Sequence, residues 1–306
     1  MKIFKEFDSY QSEEPLALSL GMFDGVHLGH KCIIDQLLKV GEQKNLKTGI
    51  LTFWPHPRLV FNPKENLKLL NTLSEKTELL EHYGIQTLFL KEFDDEFRNL
   101  TGNEFVEKII SEKFHTKYLI VGHDHVFGKN RSGNFALLEE LSHQFNFEVE
   151  QMEVVNLHNN TISSTKIRQA LSEGNIEEAN AMLGYEYPLS GKVIHGRKIG
   201  RTIGFPTANI GFDSIKLLPK KGAYIVDVYV KNKHYKGMLS IGTNPTVNGK
   251  ELTAEVNILD FNEDIYDQNI TVKFRKFLHE EIKFESLEQL VEKLKDDQTQ
   301  TELFFS

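Results

Sequence analysis

Short apolar runs alternate with amphipathic stretches through the first half of the chain. Leu16 to Leu20 is short and apolar enough for a buried strand, and the apolar residues that follow at 33, 34, 37 and 38 recur at helical spacing. Lys47–Phe53, Ile85–Leu90 and Lys117–Val121 read as further strands. Between them, Thr72 with Glu75 and Thr101 with Glu104 form capping-box pairs, which predict helices over Leu73–Tyr83 and from Thr101 to about Phe114. Strands and helices alternating at this spacing predict an α/β domain with a doubly wound parallel sheet.

Around Gly184 the pattern changes. A helix over Ile176–Leu183 ends at that glycine, and from Leu189 short strands follow one another between Gly, Asn and Pro turns. Ala223–Val230, Tyr235–Ile241, Thr253–Phe261 and Ile270–Phe274 all have strand character, and only Leu287–Lys295 at the tail has helical character. A run of strands closed by one helix predicts a small antiparallel β-barrel with a terminal helix. The boundary falls near residue 186, giving domains 1–185 and 186–306.

Composition narrows the picture. The 306 residues are enough for two domains, and 40% apolar content is enough for two cores. A single cysteine, Cys32, rules out disulfides within the chain and suits a reducing compartment. No apolar leader or membrane-length run is present, so a cytoplasmic protein with no membrane partner is expected. The formal net charge of −8 argues against a nucleic-acid partner, which would need a basic face. It leaves nucleotides open, because they need only a few local cations and N–H groups.

The first candidate chemistry is the turn Gly21-Met-Phe-Asp-Gly-Val-His-Leu-Gly-His30 between the first strand and its helix. A helix start presents free N–H groups and a positive dipole end to an anion. His27 and His30, three apart, can face one phosphate, and Gly29 carries no Cβ to obstruct a nucleotide. The turn resembles the HxGH signature of the nucleotidylyltransferase superfamily, whose histidines steady charge on the α-phosphate of ATP. Gly21, Phe23, Asp24 and Gly29 are the accompanying ATP-binding candidates. His56, in Phe53-Trp-Pro-His-Pro57, lies at a strand's carboxyl end, where such sheets bind ligands, although a rigid exposed turn accounts for its prolines equally well. Asp124, in Gly122-His-Asp-His-Val-Phe-Gly128, is a candidate for ribose or metal, and Lys129 and Arg131 for phosphate. Ile162-Ser-Ser-Thr-Lys-Ile-Arg-Gln-Ala-Leu171 is similar to the ISSTxIR motif of the same superfamily. That resemblance implies triphosphate and adenosine contacts from Ser164, Thr165 and Arg168.

In the second half, Gly196, Gly200 and Gly204 leave the backbone free to wrap a polyphosphate, with Lys198 and Arg201 as local charge. Pro206 fixes the approach to Thr207, whose hydroxyl can ligate Mg²⁺ with the Asn209 amide oxygen. Alternation along Thr253–Phe261 sets Ala254, Val256 and Ile258 on one face and Thr253, Glu255 and Asn257 on the other. Pro206-Thr-Ala-Asn209 resembles the PTAN motif of riboflavin kinases. Following an HxGH half, it makes the chain similar to the prokaryotic bifunctional riboflavin kinase/FAD synthetases over nearly its whole length. The resemblance implies that Glu255 is the general base and that Asn244 and Glu281 belong to the ATP and flavin site. Three positions depart from the family: Asn257 stands where His is usual, His279 where Arg is usual, and His125 where Phe is usual.

The resemblance implies two reactions. The barrel phosphorylates riboflavin with Glu255 as base, and the first domain adenylylates FMN with His27, His30 and Arg168 stabilising charge. ATP, riboflavin and FMN are the expected partners, FAD and FMN pass through as product and substrate, and Mg²⁺ arrives with ATP. A monomer or transient homo-oligomer is expected. Asn257 and His279 leave open an alternative in which the barrel only binds flavin, and a non-catalytic flavin- or nucleotide-binding regulator is a third reading.

Overall fold

The predicted strands assemble into two sheets that share no strand. The computed structural model describes residues 1–11, 14–61, 66–157, 160–196, 199–246 and 249–306. Its chain divides into two compact units, Met1–Ser164 and Thr165–Ser306.

The first unit is built on β1 (Lys2–Phe4), β2 (Leu16–Leu20), β3 (Lys47–Phe53), β4 (Thr87–Lys91), β5 (Thr116–Val121) and β6 (Glu148–Gln151). Every pairing is parallel and the order is β1-β4-β3-β2-β5-β6. Each central strand is buried on both faces, which is why β2 reads as an apolar run rather than an alternation. Leu16, Leu18 and Leu20 point into one core with Phe105, Phe114 and Leu138. Ala17 points into the other core, with Ile33, Ile34 and Leu37 of α1 (Leu28–Lys44) and Leu80 of α3 (Leu73–His82). The short α2 (Pro57–Phe61) precedes α3, whose Thr72–Glu75 capping box forms in both directions.

On the face of the first core, α4 (Asp95–Asn99) and α5 (Gly102–Phe105) lead into a π-helix over Val106–Lys113. The Thr101–Glu104 capping box starts that helix as predicted, but its later turns take the wider form. Helix α6 (Phe135–Phe145), capped by the Asn134 side chain, completes the layer. The strands β7 (Asn156–Leu157) and β8 (Asn160–Thr161) form a separate small hairpin.

The first unit ends at Ser164, the first residue of α7 (Ser164–Glu173); the second holds the rest of α7 and α8 (Ile176–Leu183), ended by Gly184 in the left-handed conformation. The units therefore part before the change of sequence pattern near 186. The reason is that α8 is tied into the barrel unit: the Asn180 amide donates to the Phe274 carbonyl and its Oδ1 accepts from the Tyr187 N–H, both at 2.8 Å. Strands β9 (Pro188–Ile194), β10 (Ala208–Gly211), β11 (Gly222–Val230), β12 (Lys233–Thr246), β13 (Gly249–Ile258) and β14 (Asn269–His279) close into an antiparallel barrel, ordered β10-β13-β12-β11-β14-β9. A single helical turn, α9 (Ile199–Thr202), lies between β9 and β10. Val226, Leu239, Val256, Val272 and Phe274 fill the buried core. The tail helix α10 (Leu287–Phe304) runs about two and a half turns past its predicted end. Its Val291 and Leu294 pack on Phe205, Met238 and Leu259.

Candidate active sites

In the first unit the chain reverses direction across the sheet between β2 and β5, the place where open α/β sheets gather ligands at their strands' carboxyl ends. The turn after β2 sits there. Phe23, Gly25 and Val26 all take positive φ (47°, 85° and 34°), and the conformation is held from several sides. The Gly21 N–H donates to the Leu51 carbonyl at 3.1 Å, and the Thr52 hydroxyl and Lys76 ammonium donate to the Met22 carbonyl at 3.1 and 2.7 Å. Asp24 is buried, its Oδ1 accepting from the Leu70 and Asn71 N–H groups and its carbonyl from the Ser164 hydroxyl at 2.9 Å. Asp24 is thus placed as a buried brace of the turn and Ser164 as its partner.

His27 caps α1 by accepting the His30 N–H on its Nδ1 at 3.4 Å. The two imidazoles stack with centroids 3.8 Å apart and planes 18° apart, and Phe23 backs His30 at 4.9 Å. A Cβ at Gly29 would sit 3.1 Å from the His27 ring, so this glycine makes room for the imidazole itself. His30 Nδ1 is buried with no hydrogen-bond partner. Burial, helped by the charges of His27 and Lys76, holds the His30 pKa well below its ordinary value. The first turn of α1 carries no acidic residue, which leaves its positive end open to an anion.

Beside this turn lies a cavity of about 390 Å³, lined by Gly21 and Met22 and walled by rings from four separate segments: Phe53, Phe97, Phe105 and Phe127. Lys129 and Arg131 stand at it as well. His125 also lines it, with a buried Nε2 that has no partner; burial pushes its pKa down to about 4, against a smaller opposing effect of Asp124. Sequence reasoning missed this aromatic wall. Asp124 itself is exposed beyond the end of β5. His56 is half-buried, its Nδ1 accepting from the Arg58 N–H at 3.1 Å. Thr165 is exposed and Arg168 half-buried on α7, and both belong to the second unit.

In that unit the Pro206–Asn209 segment runs into β10, where Ala208 pairs with Val256 and Asn209 with Glu255. The Thr207 hydroxyl donates to Glu255 Oε2 at 3.1 Å, and the Asn257 amide donates to the Pro206 carbonyl at 2.7 Å. Alternation along β13 places Glu255 and Asn257 on one face, with Ala254, Val256 and Ile258 buried on the other. Any side chain at Gly196 would collide with the Asn209 amide, and one at Gly200 with the Phe205 carbonyl; Gly204 turns the chain at φ 85°. A cavity of about 500 Å³ opens here, lined by Thr207, Arg201, Phe261 and Tyr266, the Arg201 guanidinium lying 5.9 Å from the Tyr266 ring centre. Lys198 and the side chain of Asn244 lie outside the described residues. Glu281 is exposed and near Gly242, where an added Cβ would stand 3.2 Å from its carboxylate. His279 is held by the buried Asp297 of α10 at 3.0 Å.

Residues 9–166 match the FAD synthetase family and residues 183–305 the riboflavin kinase family. The chain is 39% identical over 291 residues to the bifunctional riboflavin kinase/FMN adenylyltransferase of Listeria monocytogenes, covering 94% of this chain and 92% of that one. The chain belongs to the bifunctional riboflavin kinase/FMN adenylyltransferase family. The relative so named in Escherichia coli (strain K12) is 35% identical over 298 residues, covering 97% and 95%. The fold also matches a solved structure described as a macrolide-efflux protein from Streptococcus pneumoniae, with a TM-score of 0.90, 33% identity and 98% of each chain covered. Among the described residues, no helix of this family member is long and apolar enough to cross a membrane.

Proposed function

We propose that the chain makes FAD from riboflavin in two ATP-dependent steps, each served by the site described in one half. The enzyme is a transferase twice over. In the kinase half, 186–306, the riboflavin 5′-hydroxyl attacks the γ-phosphorus of ATP, giving FMN and ADP. In the adenylyltransferase half, 1–185, the FMN phosphate attacks the α-phosphorus of a second ATP, giving FAD and pyrophosphate. The observation that supports this reading is a pair of candidate polar groups in each half: the stacked His27–His30 rings in one, and Thr207 joined to Glu255 in the other.

In the kinase half, Glu255 takes the proton from the attacking hydroxyl. Thr207 lies 3.1 Å from that carboxylate and lines the cavity, so base and phosphate site are adjacent. The hard oxygen donors of Thr207 and Asn209 suit Mg²⁺ brought by ATP, which when bound neutralises phosphate charge. Arg201 meets the polyphosphate, and Gly196, Gly200 and Gly204 let the backbone approach it.

In the adenylyltransferase half the FMN phosphate is already an anion at neutral pH, so no strong base is required. His27, His30 and the start of α1 stabilise charge at the α-phosphate. The Phe-walled cavity takes the isoalloxazine, whose flat apolar rings match its lining. We place the enzyme in the cytoplasm, acting as a monomer or transient homo-oligomer.

The test is a product assay by chromatography with riboflavin, ATP and Mg²⁺. FMN and FAD should both accumulate. FAD formed only when FMN is supplied would remove the kinase half of the reading, and no flavin product from either substrate would remove both.

A further inference from the structure

Thr207 occupies a weak point of the barrel. Strand β10 pairs with β13 at Ala208 and Asn209 and begins at Ala208, so the regular ladder stops one residue short of Thr207. Continued, that register would bring Thr207 opposite Asn257. Pro206, before it, has no N–H with which to extend the pairing, and it is exposed. Its ring fixes φ but leaves ψ free, and that ψ decides where Thr207 points.

Asn257 supplies the missing restraint. It is on the same face of β13 as Glu255 but is only 8% exposed, unusual for an amide with no role in packing. Its Nδ2 reaches the Pro206 carbonyl at 2.7 Å, while Glu255 accepts from the next residue's hydroxyl at 3.1 Å. Two same-face residues of one strand thus hold two consecutive residues of the turn, one by its backbone and one by its side chain.

We propose that Asn257 is a positioning residue for riboflavin phosphorylation, fixing the Pro206 carbonyl so that the Thr207 hydroxyl stays between Glu255 and the nucleotide cavity. The inference rests on the kinase reading above. On this reading the position needs a donor toward Pro206, and the Asn257 amide supplies it. An imidazole N–H is a donor of the same kind.

The experiment compares Asn257→Asp, which keeps the shape but sets a carboxylate against the carbonyl, with Asn257→His, which keeps a donor. Both riboflavin phosphorylation and FMN adenylylation are measured in the full chain over a range of Mg²⁺ concentrations. The aspartate variant should lose at least ~10-fold in kcat for phosphorylation, since small misplacements of reacting groups are costly. Its half-saturating Mg²⁺ should rise several-fold, with KM for riboflavin and the rate of adenylylation unchanged. The histidine variant should stay within about threefold of the parent protein.

Parent-like kcat and Mg²⁺ dependence in the aspartate variant would overturn the proposal. So would a lowered kcat with unaltered Mg²⁺ dependence, the mark of a mere loss of folded barrel, or a histidine variant as impaired as the aspartate one. If the aspartate variant does not fold, Asn257→Ala is judged by the same criteria. Failure of the kinase reading itself is separately visible, because the parent protein would then form no FMN.

Discussion

At His30, burial and neighbouring charge act in the same direction, and the imidazole is neutral at physiological pH. In the proposed adenylylation the stacked pair would therefore meet a phosphate through N–H donors and the end of α1 rather than as two full charges. His27→Ala removes both the cap and one imidazole, and should lower FAD formation by ~10²–10³-fold while leaving FMN formation unchanged. Glu255→Gln should do the reverse, lowering FMN formation by ~10²–10⁴-fold with adenylylation of supplied FMN intact. Equal loss of both products in either variant would contradict separate sites. Lys76 behind the turn makes a second prediction. Burial lowers its pKa from 10.5 to about 8, with Asp24 opposing. Between those values the unfolded chain binds the extra proton, so stability to urea should rise with pH from about 8 to 10.5. Lys76→Met should abolish that rise.

Among the elements, those with local signals were legible in the sequence. The two capping boxes, the Gly184 stop and the buried runs of β2 and β3 lie where the residues put them, because caps and periodicity depend only on near neighbours. Gly184 holds φ at 82°, so Gly184→Ala should destabilise the second unit by about 1 kcal/mol in chemical denaturation. Helix α6 went unread although its signals were present: Asn134 as cap, then Leu138 and Leu141 on the buried face. The π-helical turns after Phe105 carry an ordinary helical pattern, and their wider hydrogen bonding has no local signature that we recognise. Nor could the aromatic cavity be seen, since Phe53, Phe97, Phe105 and Phe127 meet only through the fold. The same holds for the Asn257 contact with Pro206, made across a gap of 51 residues.

For the molecule as a whole, the candidate histidines and the Pro206–Asn209 turn stand out in the sequence because each is a contiguous string, whereas their supports are distant in sequence. Gly29 illustrates the difference: its motif position was evident, but its service to the His27 ring needed coordinates. Among the described residues no cluster of three or more His, Cys, Asp or Glu side chains is arranged to hold a metal. With Mg²⁺ arriving on ATP, as proposed above, chelating it with EDTA should stop both reactions while leaving the melting temperature of the ligand-free protein unmoved. A fall in melting temperature would indicate a resident structural ion.

The closure of the barrel has one more effect. Its six strands all find neighbours on both sides, so among the described residues the barrel presents no open strand edge to another polypeptide. The parallel sheet keeps two open borders, at β1 and β6, and these are only three and four residues long. Sticking between partly folded chains should therefore begin at those borders, and their shortness is itself a guard against fibre growth.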